Sequence, residues 1–299
     1  MLTSPSNSPT RSNDVVRAAL WMLGAVLSFS SMAIAGREVS FELDTFEIMM
    51  YRSVIGLLIL MAIASLAGTR STITGRKPGL HLVRNVCHFT GQNLWFFAIT
   101  VIPLAQVFAL EFTSPLWVLM LSPLVLGERL TSIRVLAAVM GFIGILIVTR
   151  PSAETVNIGT LAALCAAIGF AGSILFTKRL TRTETLTCIL FWMTLSQSIF
   201  GVICAGFDGD ITLPTAETTP WLVLIALGGL TAHFCLTTAL SIAPATLVTP
   251  VDFLRLPVIA LLGLALYQEQ IELMVILGAA IIFGANYLNL WSETRRKTS

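Results

Sequence analysis

The stretch from Ala98 to Glu128, AITVIPLAQVFALEFTSPLWVLMLSPLVLGE, is apolar and of helix length. It carries Pro103 near its start and one carboxylate, Glu111, in its interior. A second stretch repeats the plan: Ala239 to Glu269 reads ALSIAPATLVTPVDFLRLPVIALLGLALYQE. Pro103 answers Pro244, Glu111 answers Asp252, Phe112 answers Phe253 and Glu128 answers Glu269, always at the same separation (244 − 103 = 141). An acid inside a long apolar helix is costly, and this chain keeps one twice at matched positions.

The rest of the chain has the same character. Of its 299 residues 56% are hydrophobic and 11% charged, and its mean hydropathy is +0.86. Soluble domains carry about 25% charged residues. Apolar runs cover 18–36, 46–67, 79–101, 104–126, 131–149, 158–177, 185–206, 219–240, 244–267 and 271–290. Each is near the ~20 residues that a helix needs to cross the hydrocarbon core. The first run is not a cleaved signal: it is long, lacks an A-x-A exit and is followed by similar runs. Cys87, Cys165, Cys188, Cys204 and Cys235 all lie in apolar runs and read as small fillers, not a disulfide framework. The expected fold is therefore an all-α polytopic membrane protein of about ten transmembrane helices. Residues 1–17 are expected to form a disordered tail and 291–299 a cytoplasmic one.

The basic residues give an orientation. With both ends inside, the inner segments hold Arg11, Arg17, Arg70, Arg76, Lys77, Arg129, Arg134, Lys178, Arg179, Arg182, Arg295, Arg296 and Lys297, against Arg37 and Arg150 outside. That asymmetry is the positive-inside pattern, and it supports an even number of spans. It places both termini in the cytoplasm, and the expected setting is a bacterial inner membrane.

The offset of 141 also pairs Phe29 with Phe170, Thr90 with Thr231 and Phe142 with Phe283, so the chain divides into repeats at 18–149 and 158–290. Five spans per repeat is an odd number, so the second repeat lies inverted relative to the first. Inverted repeats characterise secondary transporters, whose substrate site lies near the midplane.

Here the sequence resembles the drug/metabolite transporter superfamily, in its EamA-type branch of ten-span carriers. The resemblance rests on LGERL at 126–130, YQEQI at 267–271, the IPLAQ and APATL segments that open the fourth and ninth spans, and RPS at 150–152. It implies a carrier of small solutes, such as amino acids, aromatic drugs, riboflavin-like vitamins or S-adenosylmethionine. One departure is that Gln270 stands where the first copy has Arg129.

Polar residues inside the spans are the candidate site. Glu111 and Asp252 each lie about eight residues deep, or ~12 Å at ~1.5 Å per residue, approaching the midplane from opposite sides. Burial favours the protonated form of a carboxyl, so Glu111 is the candidate for proton coupling; a polar clamp between the halves is the alternative. Arg255, three residues after Asp252, shares its helical face and either neutralises it or holds a substrate group. Prolines 250 and 257 bracket that pair. In the third span Arg84, His88, Gln92 and Trp95 form one stripe, and His233 is the counterpart of Gln92. Arg84 lies near the inner end, where snorkelling to the lipid surface is an alternative role. Substrate binding is thus expected from His88, Gln92, Trp95, Glu111, His233, Asp252 and Arg255. Lesser roles are read for Arg52 with Glu47, a packing pair, and for Glu128 and Glu269, markers of helix ends.

Other function classes fit poorly. His81 and His88 are seven residues apart, ~10.5 Å along a helix and too far to share one ion. No P-loop, nucleophile triad or nucleic-acid-binding stretch is present, and no metal, cofactor or nucleic-acid partner is expected. The reading is a non-enzymatic secondary carrier of a small polar or aromatic metabolite, working in the lipid bilayer by alternating access. An exporter of drugs or amino acids, a channel or a membrane enzyme are the alternatives, and a homodimer is left open.

Overall fold

Proline lacks an N–H and fixes φ, so it starts helices and interrupts them. In the computed structural model, which describes residues 12–127, 132–149, 157–207, 209–270 and 272–296, the matched prolines do both. The first half comprises α1 (Ser12–Val39), α2 (Thr45–Leu66), α3 (Pro78–Val101), α4 (Leu104–Glu111), α5 (Ser114–Leu126) and α6 (Ser132–Thr149). The second comprises α7 (Ile158–Leu180), α8 (Leu186–Ala205), α9 (Thr219–Ile242), α10 (Ala245–Val248), a 3-10 segment (Thr249–Leu254), α11 (Arg255–Tyr267) and α12 (Leu273–Arg296). A helical rod meets each of the ten expected spans.

Two rods are not continuous, as the sequence had implied for 104–126 and 244–267. In the first half the break falls at Phe112 and Thr113. Pro115 cannot donate to the carbonyl of Glu111 four residues earlier. The Ser114 hydroxyl donates to it instead at 2.6 Å, and Thr113 Oγ1 donates to Leu110 O at 2.7 Å. Hydroxyl donors thus satisfy carbonyls that the break frees.

The repeat is visible in the backbone. Ile102 (φ −135°, ψ 158°) and Ala243 (φ −130°, ψ 160°) end α3 and α9 in the same extended conformation before their prolines. Gly127 (φ 72°, ψ 22°) and Gln268 (φ 55°, ψ 28°) end α5 and α11 in the same left-handed one. Among the described residues Gln268 is the one non-glycine with positive φ.

The main helix pairs are α1 with α9, α3 with α7, α2 with α8 and α6 with α12, each joining one half to the other. Exchanging the halves turns the first pair into the second, and the contacts follow. A Cβ on Gly228 would lie 3.1 Å from Ser28 O, and one on Gly169 would lie 2.9 Å from Cys87 O. Ser28 and Gly169 are 141 apart, as are Cys87 and Gly228. The halves are therefore related by a local two-fold axis. Gly144 approaches Gly278 in the same way, and Gly201 approaches Met50; Gly141 faces Leu116 instead. Small residues of this kind let helices meet backbone to backbone.

The exterior is apolar, with Leu27, Leu58, Leu124, Phe142, Leu161 and Leu261 exposed, while Arg52, Arg84, His88, Gln92, Glu111 and Arg255 are buried. A polar interior under an apolar surface suits lipid as the solvent. Six described stretches are long and apolar enough to cross a membrane: Val16–Val39, Thr45–Leu66, Gln106–Leu126, Ile158–Leu180, Leu186–Ala205 and Thr219–Ile242. The polar stripe of α3 explains its absence from that set.

Several expectations change. The terminal stretches read as tails are helical where described, from Ser12 and as far as Arg296, because helices continue past the apolar core and keep their backbone bonds. Residues 1–11, 128–131, 150–156, 208, 271 and 297–299 lie outside the described residues, and with them Glu128, Arg129, the RPS segment and the end of YQEQI. Glu269 is more than a marker. It pairs with Arg37 and accepts the first amide of α4, Leu104 N, at 3.0 Å. Arg37 also lies 4.4 Å from the Tyr267 ring centroid, and the Tyr267 hydroxyl donates to Glu38 at 2.9 Å.

Left-handed backbone costs a residue with a Cβ about 1 kcal/mol or more, and glycine nothing comparable. Gln268→Gly should therefore raise thermal stability in detergent by about 0.5–1 kcal/mol. A lowered melting temperature would mean that the Gln268 side chain contributes more than its backbone costs.

Candidate functional site

Breaking two helices at matched depth exposes helix ends inside the protein, and the charged residues stand at those ends. Glu111 is the last residue of α4, Arg255 the first of α11, and Asp252 lies in the 3-10 segment between α10 and α11. Arg255 Nη2 bonds Glu111 Oε1 at 2.6 Å and Asp252 Oδ2 at 2.5 Å. The other oxygen of Glu111, Oε2, accepts the Trp95 indole N–H at 2.6 Å. Both readings of Asp252 with Arg255 thus gain a third member, because the acid of the first half pairs with the same guanidinium.

The Arg255 side chain is enclosed by rings, with Phe108 at 4.9 Å, Phe29 at 5.1 Å and Phe112 at 5.5 Å from guanidinium carbon to centroid. Aromatic faces attract a cation and also exclude water, which strengthens its carboxylate bonds.

Beside this triad a cleft with about 740 Å³ of unfilled space, part of it open to the outside, runs between the halves. All seven residues singled out from the sequence line it: His88, Gln92, Trp95, Glu111, His233, Asp252 and Arg255. Its walls obey the repeat. Phe29 and Phe170, Met32 and Ser173, Gln92 and His233, Trp95 and Leu236, Glu111 and Asp252, and Ser114 and Arg255 all line it as pairs 141 apart. The cleft therefore straddles the local two-fold axis.

Walls from α1 and α7 extend the cavity beyond the spans that carry the polar residues. Phe29 and Phe170 supply its aromatic surface there, and their match in the repeat was the available signal. His88 and His233 meet edge to face with centroids 4.6 Å apart, and Phe29 packs on His233 at 5.5 Å. Several buried polar atoms at this surface have no protein partner: His88 Nε2, both ring nitrogens of His233, Asp252 Oδ1 and Arg255 Nε. Buried polar atoms are usually bonded, so a set of orphans converging on one cleft marks a surface shaped for a polar ligand.

Other candidates go elsewhere. Arg84 does not snorkel: it is 2% exposed and bonds Asn85 Oδ1, its neighbour on α3, at 2.9 Å and Thr177 Oγ1, brought by the close packing of α7, at 3.0 Å. Arg52 does not pair with Glu47. Glu47 accepts Asp44 N at 2.9 Å in a capping box and also receives Thr212 N, whereas Arg52 faces the sulfurs of Met32 and Met49. Five residues of separation put the two on different helix faces.

Replacing Arg255 by methionine would leave two buried carboxylates without a cation, a loss typically worth about 3–5 kcal/mol. The expected result for Arg255→Met is a lower melting temperature, with the deficit smaller in mild acid, where carboxylates gain protons. A deficit independent of pH would mean that packing, not charge, is what Arg255 supplies.

Comparison with known proteins agrees with the duplicated fold. The pattern of the EamA-like transporter family matches residues 16–150 and again 157–291. A riboflavin transporter from Brucella anthropi is 33% identical over 79% of this chain and 84% of its own. One from Vibrio cholerae is 29% identical over 94% and 95%. An S-adenosylmethionine uptake transporter from Rickettsia bellii is 24% identical over 92% and 94%. A solved crystal structure, 19% identical, superposes with a TM-score of 0.69 over 93% of this chain and 98% of that one, a likeness of fold.

Proposed function

The chain belongs to the EamA-like transporter family, and from that premise we propose that it is a secondary carrier moving a planar, hydrogen-bonding metabolite by alternating access. The observation that carries this is the cleft on the two-fold axis, whose walls combine Phe29, Phe170, Trp95 and the His88–His233 pair with unpartnered donors and acceptors. An isoalloxazine ring has flat faces for such aromatics and an edge of alternating donors and acceptors, so riboflavin is the first substrate to test. The relatives named as riboflavin transporters support that choice.

The mechanism follows from the two halves, which we take as 18–149 and 158–290, rocking about the cleft so that it opens to one face and then the other. The triad supplies coupling. Two carboxylates and one guanidinium leave one uncompensated negative charge in a buried place, and one proton neutralises it. Glu111 is the proposed proton carrier, since substrate contact with Arg255 weakens the bond that keeps Glu111 ionised. A solute with one positive charge would neutralise the triad equally well. That favours a second reading, a cation with a heteroaromatic ring such as S-adenosylmethionine. Transport, not chemistry on the solute, is the proposed activity. The basic residues support an inner-membrane setting with both termini in the cytoplasm.

The test is uptake of labelled riboflavin and of labelled S-adenosylmethionine into vesicles containing the protein, with and without a pH gradient. Saturable riboflavin uptake, reduced roughly ten- to hundredfold by Arg255→Ala, is expected. Glu111→Gln should flatten the response to the gradient. An unchanged pH response in Glu111→Gln would remove Glu111 as proton carrier. Uptake of S-adenosylmethionine alone would transfer the assignment to the second reading.

A further inference from the structure

A second polar cluster lies far along α3 from the cleft, where His81 meets the other half of the chain. Glu184 sits in the turn between α7 and α8, and Cys188 in the first turn of α8. One ligand-capable atom from each of His81, Glu184 and Cys188 lies within 4.8 Å of the other two. All three residues are buried, with His81 2%, Glu184 8% and Cys188 0% exposed.

The arrangement is built, not incidental. Glu184 Oε2 accepts the Thr74 hydroxyl at 2.8 Å and the Cys188 thiol at 3.4 Å. Trp192 stacks on the His81 ring with centroids 5.7 Å apart, and its indole N–H donates to Thr74 O at 2.8 Å. Glu184 is thus held by the Thr74 hydroxyl, and Cys188 Sγ accepts Thr74 N at 3.4 Å, so both ligands have second partners, as the ligands of metal sites usually do. The imidazole is the exception. Neither Nδ1 nor Nε2 of His81 has a partner, although the ring is almost wholly buried. A buried histidine with two orphaned nitrogens, directed at a thiol and a carboxylate, lacks the group that would satisfy it.

We propose that His81, Glu184 and Cys188 form a binding site for a thiophilic divalent cation of the Zn²⁺ type, joining the first half of the chain to the second. One nitrogen, one sulfur and one carboxylate oxygen form a ligand set that suits zinc and leaves a fourth position for water. Zinc ligands in a tetrahedron lie roughly 3.3–3.8 Å apart, so a movement of about 1 Å closes the set. On binding, the Cys188 S–H bond is replaced by an S–metal bond and its proton passes to solvent. Thiolate and carboxylate then balance the two positive charges of the ion. Access is short, since Gly75, Arg76 and Lys77 beside the cluster are exposed. Glu184 and Cys188 are four residues apart, but the third ligand, His81, comes from the other half, so no local spacing marks the complete set. From the sequence, His81 was excluded only as a partner of His88.

The experiment uses the purified full chain in detergent, titrated with Co²⁺ as a spectroscopic probe and with Zn²⁺ as competitor. The expected result is a thiolate-to-cobalt absorption band that Zn²⁺ abolishes, together with a rise in melting temperature on adding Zn²⁺. Cys188→Ser should lose the band, and His81→Gln should weaken binding at least about tenfold. The other four cysteines remain in both variants and serve as internal controls. A wild-type protein without the band, or a band that persists in Cys188→Ser, overturns the proposal. If Cys188→Ser does not fold, undiminished affinity in His81→Gln overturns it instead.

Discussion

A buried guanidinium is costly unless its charge is met, and Arg255, which is met by two carboxylates, is the cation on which the centre of this protein depends. Its partners come from both halves: Glu111 from the first and Asp252 from the second. Helix polarity makes the pairing more necessary. Glu111 stands at the C-terminal, partially negative end of α4, and Arg255 at the N-terminal, partially positive end of α11. Each charge is unfavourable at its own helix end. Brought together they relieve each other, which ties the two broken rods to one point between the halves.

The remaining buried cations extend this electrostatic plan. Arg84 is held by an amide oxygen and a hydroxyl, and Arg52 by two thioethers, with no carboxylate among the described residues in hydrogen-bond contact with either. Arg84 stands one turn before His88 on α3, and Arg52 Nη2 lies 2.9 Å from where a Cβ on Gly229 would sit, one turn before His233 on α9. The cleft thus has arginines behind its histidines and an acidic excess at the triad.

Much of this was legible in the sequence because cost is legible. A charged or strongly polar residue in an apolar run needs a reason, and the seven residues chosen on that ground all line one cleft. The prolines located the starts of the broken rods. Apolar wall residues carry no such mark: Phe29 and Phe170 look like any lipid-facing phenylalanine until the repeat is laid over the fold. The interruption at Phe112 was hidden because Pro115 suits a first helical turn as well as a break, and only the Ser114 hydroxyl on Glu111 O distinguishes them. Arg84 was misplaced for a related reason. Snorkelling or burial is decided by Thr177 on a neighbouring helix, which no local pattern reveals. Long-range partners, not local propensity, account for what was missed.

The glycines at the crossings bear on how such a protein moves. Interlocked leucines would act as gear teeth, and sliding one helix past another would require every tooth to leave its socket. Here the pairs joining the two halves meet at Gly228, Gly169, Gly201 and Gly144, where backbone lies against backbone. Such contacts are smooth. Shear between packed helices needs little side-chain rearrangement where small residues form the contact. Under the proposed rocking of the two halves, these crossings would serve as its bearings, placed around the midline about which the halves turn.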